Sequence, residues 1–170
     1  MGTALPPAFA AKMQRLLGGE YASFLASYEK EHFSALRLNT LKVNAEDFGK
    51  INPFQLRAVP WAEAAYYYDG SERPGKHPYY YAGLYYIQEP SAMAPVELLD
   101  VRPGDRVLDL CAAPGGKSTQ IAAKLKQSGV LVANDPHPDR AKVLAKNIER
   151  AGIRNAVVLN DQPEALAKAF

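Results

Sequence analysis

Between Asp105 and Lys117 the chain reads DRVLDLCAAPGGK, a short apolar run broken by Pro114, Gly115 and Gly116 and closed by a lysine. Glycines at such a break let a ligand approach the backbone closely, and free N–H groups at the start of a following helix attract polar or anionic groups. Two familiar versions of this chemistry fail on spacing. A phosphate-cradling loop needs a glycine five residues before the Gly-Lys-Ser of Gly116, Lys117 and Ser118, but Cys111 stands there. A dinucleotide G-x-G-x-x-G is absent as well, since only Gly115 and Gly116 are present. What remains is a glycine turn and then an acidic residue at the end of the next apolar segment, LVAND. Its Asp135 lies roughly 20 residues on, where a carboxylate can accept hydrogen bonds from a ribose. A nucleoside cofactor without a polyphosphate fits, and S-adenosyl-L-methionine is the main candidate.

The elements around these residues alternate. Val107, Leu108 and Leu110 predict a strand buried on both faces. Strand 107–111, helix 117–127, strand 130–134, helix 138–151, strand 156–160 and helix 163–169 follow in order. Such a run of βα units implies a parallel sheet with right-handed crossovers. Gly129 and Gly152 sit where the helices should stop. Asp139 suits the dipole at the start of its helix. Cys111, the one cysteine, is expected to be a small buried side chain.

Upstream, helices are expected over Pro6–Leu17 and Glu20–Lys30, each with an apolar stripe. Ala35–Val43 alternates as a half-buried strand does, and its Arg37 and Lys42 could reach a phosphate. Ala45–Lys50 reads as a short helix and Leu56–Trp61 as a strand. From Trp61 to Tyr86 tyrosines cluster at 66–68, 79–81, 85 and 86, with Arg73, Lys76 and His77 between them. Aromatics interleaved with basic residues can stack on single-stranded RNA, while tyrosines also line ordinary strands. Pro90–Leu99 reads as a helix with Met93, Val96 and Leu99 facing a core. Gln88 or Ser91 near its start could approach a ligand or simply cap it.

The composition sets bounds. Apolar residues make up 48% of the 170, enough for a core, and the net charge of +2 does not by itself predict a nucleic-acid partner. No run approaches a membrane span and no signal pattern opens the chain. One cysteine provides neither a disulfide framework nor a multi-cysteine zinc site, so no metal and a cytoplasmic location are expected.

VLDLCAAPGGKSTQIA, preceded by YYIQEPSAM and followed by VLVANDPHPDRAKVLAKNIERAGIRNAVVLND, resembles the RNA 5-methylcytosine methyltransferases of the Sun (Fmu) family. Within it the similarity is greatest to the RsmF/YebU-like rRNA enzymes. It is strong over residues 79–170 and weak over 33–78. The resemblance implies an α/β fold: a Rossmann-like S-adenosylmethionine-dependent methyltransferase sheet, here its first three strands, preceded by a small α+β N-terminal domain. Residues 1–80 would be the accessory region and 81–170 the first half of the methyltransferase domain. It also implies a cofactor site at Cys111, Ala112, Ala113, Pro114, Gly115, Gly116, Lys117, Asp135, Arg140 and Asp161. Whether Asn160 or Asp161 approaches the adenine stays open. RNA would be the partner, most simply small-subunit rRNA. In this family the cysteine that attacks cytosine lies in later Thr-Cys and Pro-Cys motifs, so the chain is expected to hold the donor-binding half and to be inactive alone. The absent neighbouring strand would leave Val107–Leu110 an exposed apolar edge, prone to self-association. A non-catalytic S-adenosylmethionine- or RNA-binding module is the alternative. A small-molecule methyltransferase fits the CAAPGGK segment less well.

Overall fold

The computed structural model describes residues 5–30 and 32–169. It contains two compact units, one ending at His32 and one starting at Phe33. In the first, α1 (Pro7–Leu17) opens with a proline, and a 3-10 turn over Gly18–Glu20 leads into α2 (Tyr21–Ser27). Phe24 is the hub of this hairpin, its ring 6.3 Å from Phe9, 6.2 Å from Tyr21 and 5.2 Å from Tyr28. The two expected helices form with an aromatic seam, and neither contains a buried residue.

The second unit holds two sheets. In the first, β1 (Ser34–Leu38), β2 (Leu56–Ala58), β3 (Ala65–Tyr68) and β4 (Tyr85–Ile87) pair antiparallel in the order β2-β3-β1-β4. The period of two sends Leu36 and Leu38 to one face. There they bury Phe48 of α3 (Ala45–Ile51) together with Tyr85. Ala35 goes to the other face, with Val59, Ala65 and Met93. The expected strand to Val43 stops at Leu38 because Asn39 bends the chain. Its carbonyl accepts the N–H groups of Lys42 and Val43, and its Oδ1 accepts that of Leu41. Half of the ten tyrosines are core wall: Tyr66, Tyr68, Tyr79 and Tyr80 pack on the cluster that Phe48 forms with Tyr85. His77 caps α4 (Pro78–Tyr81), its Nδ1 accepting the Tyr79 N–H at 3.2 Å.

A 3-10 turn over Pro90–Met93 and α5 (Ala94–Leu98) lead to the second sheet. Met93 and Val96 are buried there as expected, but Leu99 is exposed. β5 (Arg106–Asp109), β6 (Val130–Asn134) and β7 (Ala156–Leu159) are parallel, in the order β5-β6-β7. The crossovers are α6 (Gly116–Leu125) and α7 (Pro138–Ala151), and α8 (Pro163–Ala169) follows β7. Ile121, Ala122, Leu125, Leu144 and Ile148 of these crossovers bury Leu131 and Ala133 of the central strand, with Val107 and Val158 beside them. Gly152 ends α7 as expected, its N–H reaching the Ile148 and Glu149 carbonyls. α6 instead stops with Lys126 in the left-handed region, ahead of Gly129.

The opposite face of this sheet is a different matter. Leu108, Val132 and Val157 form one row across the three strands. Leu108 and Val157 are each 49% exposed. Leu108 is therefore not buried on both faces: β5 is an edge strand, and its outward row has no cover among the described residues. Open apolar rows on sheet edges drive association. Light scattering is expected to show the chain's mass rising with concentration, and Leu108→Lys to suppress the rise. A monodisperse wild-type monomer with a high melting temperature contradicts this.

Candidate cofactor site

The carboxyl ends of β5, β6 and β7 converge on the glycine turn. Past Asp109 the chain bends, and the Ala112 N–H donates to the Asn134 carbonyl at 2.7 Å. Gly115 has φ 111°, a conformation that side-chain-bearing residues rarely adopt, and a Cβ there would stand 3.2 Å from Leu144 Cδ1. α6 then starts at Gly116 with no side-chain cap on its opening N–H groups, leaving donors at a helix start free for a polar ligand. Ser118 and Thr119 turn inward. Ser118 Oγ donates to Asp109 Oδ2 at 2.7 Å, and Thr119 Oγ1 donates to the Gly116 carbonyl at 3.1 Å.

Asp135, at the end of β6, is 1% exposed. Its carboxylate accepts the Ala113 N–H at 3.3 Å and the His137 N–H at 3.1 Å. Arg140 from α7 lies 3.3 Å from Asp135 Oδ2 and donates to the Ala113 carbonyl at 2.8 Å. The acidic strand end, the first turn of α7 and the glycine turn are thus tied directly together. Asn134 adds the third strand: its Nδ2 donates to Leu110 O at 3.1 Å and Asp161 O at 3.0 Å, and its Oδ1 accepts the Asp161 N–H at 3.0 Å. Asn160 Nδ2 is used on the Asp135 carbonyl. The Asp161 side chain is exposed, with one oxygen on the Gln162 N–H.

Two hollows flank Ala113 and Pro114. One, of about 270 Å³, is lined among others by Tyr86, Gln88, Glu89, Asp109, Cys111 and Lys117. A Cβ on Gly116 would stand 3.4 Å from Tyr86 Cε1 and 3.5 Å from the Gln88 amide, so the turn runs directly beside these two side chains. The other, of about 280 Å³, is lined by Ala113, Pro114, Asp139, Arg140 and Val143. Of the ten residues expected at the site, the turn residues 111–117, Asp135 and Arg140 come together, and Asp161 joins them through its backbone. A larger hollow of about 540 Å³, beside Leu41, Glu63, Glu97 and Lys124, contains none of them.

Several expectations about single residues change. Cys111 is exposed rather than buried, because it lies on the open rim past the strand end. Arg37, which is buried, and Lys42, which is exposed, both bond to the protein itself. Arg37 bonds Gln88, Gly116 and Thr119, and Lys42 donates to the Ala82 and Arg150 carbonyls at 2.8 Å each. Both ends of the Gln88 amide are used, on Arg37 and on the Ala92 carbonyl. Ser91 is part of a cap: its hydroxyl and the Ala92 N–H both donate to the Glu89 carboxylate, and the Ser91 bond foremost holds that carboxyl below its usual range. Sequence reasoning missed Asn134, Tyr86 and Asp109. An asparagine among apolar residues at a strand end was the available signal for the first. Among the described residues there is no cluster of His, Cys, Asp and Glu able to hold a metal ion, and no helix long and apolar enough to cross a membrane.

Comparison with known proteins gives a consistent result. The N-terminal domain of 16S rRNA methyltransferase RsmF matches residues 5–90, and the 16S rRNA methyltransferase RsmB/F family matches residues 96–168. The ribosomal RNA small subunit methyltransferase F of Vibrio atlanticus is 46% identical over 149 residues, covering 83% of this chain and 32% of the relative. The 26S rRNA (cytosine-C(5))-methyltransferase nsun-1 of Caenorhabditis elegans is 38% identical, covering 89% and 24%. A crystal structure of a methyltransferase homologue from Pyrococcus horikoshii superposes with a TM-score of 0.85 at 30% identity, covering 98% of this chain and 56% of that one. The chain spans about a third of the length of the bacterial relatives it matches. With two adjoining family matches in agreement, the chain belongs to the RsmF family of 16S rRNA methyltransferases.

Proposed function

We propose that this chain is the methyl-donor-binding part of an S-adenosylmethionine-dependent methyltransferase acting on cytosine C5 in RNA, most simply small-subunit rRNA in the cytoplasm. The observation that carries the reading is the glycine turn, held to the acidic end of β6 by the Ala113–Asp135 hydrogen bond. The residues fit the cofactor: the start of α6 offers uncapped donors, and its Gly116 and Lys117 line the 270 Å³ hollow. Residues 111–117, Asp135, Arg140 and Asp161 would hold it. Bound there, S-adenosylmethionine supplies an electrophilic methyl group. Asp161 is the better candidate than Asn160 for an adenine contact, because the Asn160 amide already serves the Asp135 carbonyl.

Cytosine C5 is a poor nucleophile until a thiolate adds at C6. That thiolate would come from a part of the complete protein outside this chain, and the chain alone would be inactive. Cys111 stays with the cofactor turn. The target base must also be unstacked to reach the donor. An aromatic patch is suited to the flanking strand. Trp61 is 48% exposed and Phe33 68%. Both rings pack on Tyr67, and Arg57 lies over the Tyr67 ring at 4.5 Å. Trp61 Nε1 donates to the Pro90 carbonyl, which joins the patch to the segment walling the 270 Å³ hollow.

The test uses the complete protein, radiolabelled donor and unmodified small-subunit rRNA. Label is expected on cytosine C5, and Trp61→Ala with Tyr67→Ala should weaken RNA affinity at least tenfold at unchanged donor affinity, since stacking contributes about 1–3 kcal/mol per base. Label on another atom or on a small molecule overturns the reading.

A further inference from the structure

Arg37 lies on β1, in the antiparallel sheet, yet its guanidinium ends at the donor turn. It is 3% exposed. Its Nε donates to Gln88 Oε1 at 3.1 Å, and its Nη2 to the Gly116 carbonyl at 3.0 Å and Thr119 Oγ1 at 2.9 Å. No carboxylate is hydrogen-bonded to it among the described residues. Burial pulls the guanidinium down to about 10, so it remains charged at neutral pH. Glu97 attracts it without a hydrogen bond, and a buried cation with no directly bonded ion partner is costly. This one also sits at the start of α6, the positive end of the helix dipole, where a cation is disfavoured. Helix stability does not account for it.

Its geometry does. Gly116 and Gln88 both line the 270 Å³ hollow and stand side by side there, and one guanidinium holds both. The contacts between the sheets at the far end of β1 are separate: Asn39 Nδ2 donates to the Gly83 and Ala151 carbonyls, and Lys42 to Ala82 and Arg150. Resting on the donor-site reading above, we propose that Arg37 is a positioning residue that sets the spacing between the α6 start and Gln88. The antiparallel sheet is then part of the donor site's frame as well as a neighbour of RNA. Arg rather than Lys is required, because the bonds leave from two nitrogens fixed in one plane, Nε and Nη2, and a single ammonium cannot stand at both places.

The test compares Arg37→Met and Arg37→Lys with Lys42→Met, using amide hydrogen exchange, thermal melting and titration with S-adenosylmethionine. Both Arg37 variants are expected to exchange the amides of residues 115–119 faster while those of β6 stay protected. Donor affinity should fall about tenfold, the scale of a lost charge-assisted bond. Lys42→Met should lower the melting temperature and leave both readouts unchanged. Wild-type exchange over 115–119 in Arg37→Lys overturns the proposal, and so does faster exchange that extends equally through β6, which would mark a merely structural role. Arg37→Lys serves alone if Arg37→Met does not fold. If the wild-type protein binds no donor, the donor reading fails, and the exchange comparison still decides the role of Arg37.

Discussion

Asn134→Ala is expected to cost about 3 kcal/mol of unfolding free energy, from three lost hydrogen bonds of about 1 kcal/mol each. The side chain is fully buried and touches the ends of all three parallel strands. Truncation removes the partner of the Leu110 carbonyl, the Asp161 carbonyl and the Asp161 N–H, all in part-buried bonds. Asn134→Asp does no better, since it sets a carboxylate against two carbonyl oxygens. Loosening these ends should also release the glycine turn from Asp135, so donor affinity falls with stability. Urea denaturation followed by circular dichroism measures the first effect, and a loss below about 1 kcal/mol contradicts the account.

Gly83→Ala is expected to be at least as damaging, at about 3–5 kcal/mol for an overpacked and strained site. Gly83 has φ 71°, and a Cβ there would stand 2.1 Å from the Arg150 carbonyl oxygen. That oxygen is backbone at the end of α7 and also accepts from Lys42, so the two sheets would have to separate. Gly49→Ala is the control: its position in α3 has nothing within 4 Å, and it should gain about 0.5–1 kcal/mol from helix propensity. The same denaturation series reads both. Equal effects at the two positions contradict the close approach.

The second half of the chain was legible because each βα unit carries its own signals. Apolar runs mark β6 and β7, and Gly152 and Pro138 bound α7. The region before it was harder. β3 and β4 are tyrosine-rich, and in AYYY and YYI the residues of the two faces have the same chemistry, so no alternation shows. Only the pairing with β1 separates Tyr67, which joins Trp61 and Phe33, from Tyr66 and Tyr68, which cover Phe48. The same limit hid Arg37. An arginine in an alternating strand reads as a solvated face until the chain brings Gly116 against it, 79 residues later. At the site, Asp135 was identifiable by its distance from the turn, but what it holds was not. Its bonds to Ala113 and His137 depend on backbone orientation, which spacing does not report.

Calorimetric titration with S-adenosylmethionine, of this chain and of the complete protein, each beside Asp135→Ala, tests the donor-site assignment most directly. The account predicts saturable binding by the complete protein, lost in Asp135→Ala at unchanged circular dichroism. Binding by the chain itself would further show that the donor half assembles without the rest. A complete protein that binds no donor, or an Asp135→Ala variant that binds it as tightly as the wild type, would contradict the account.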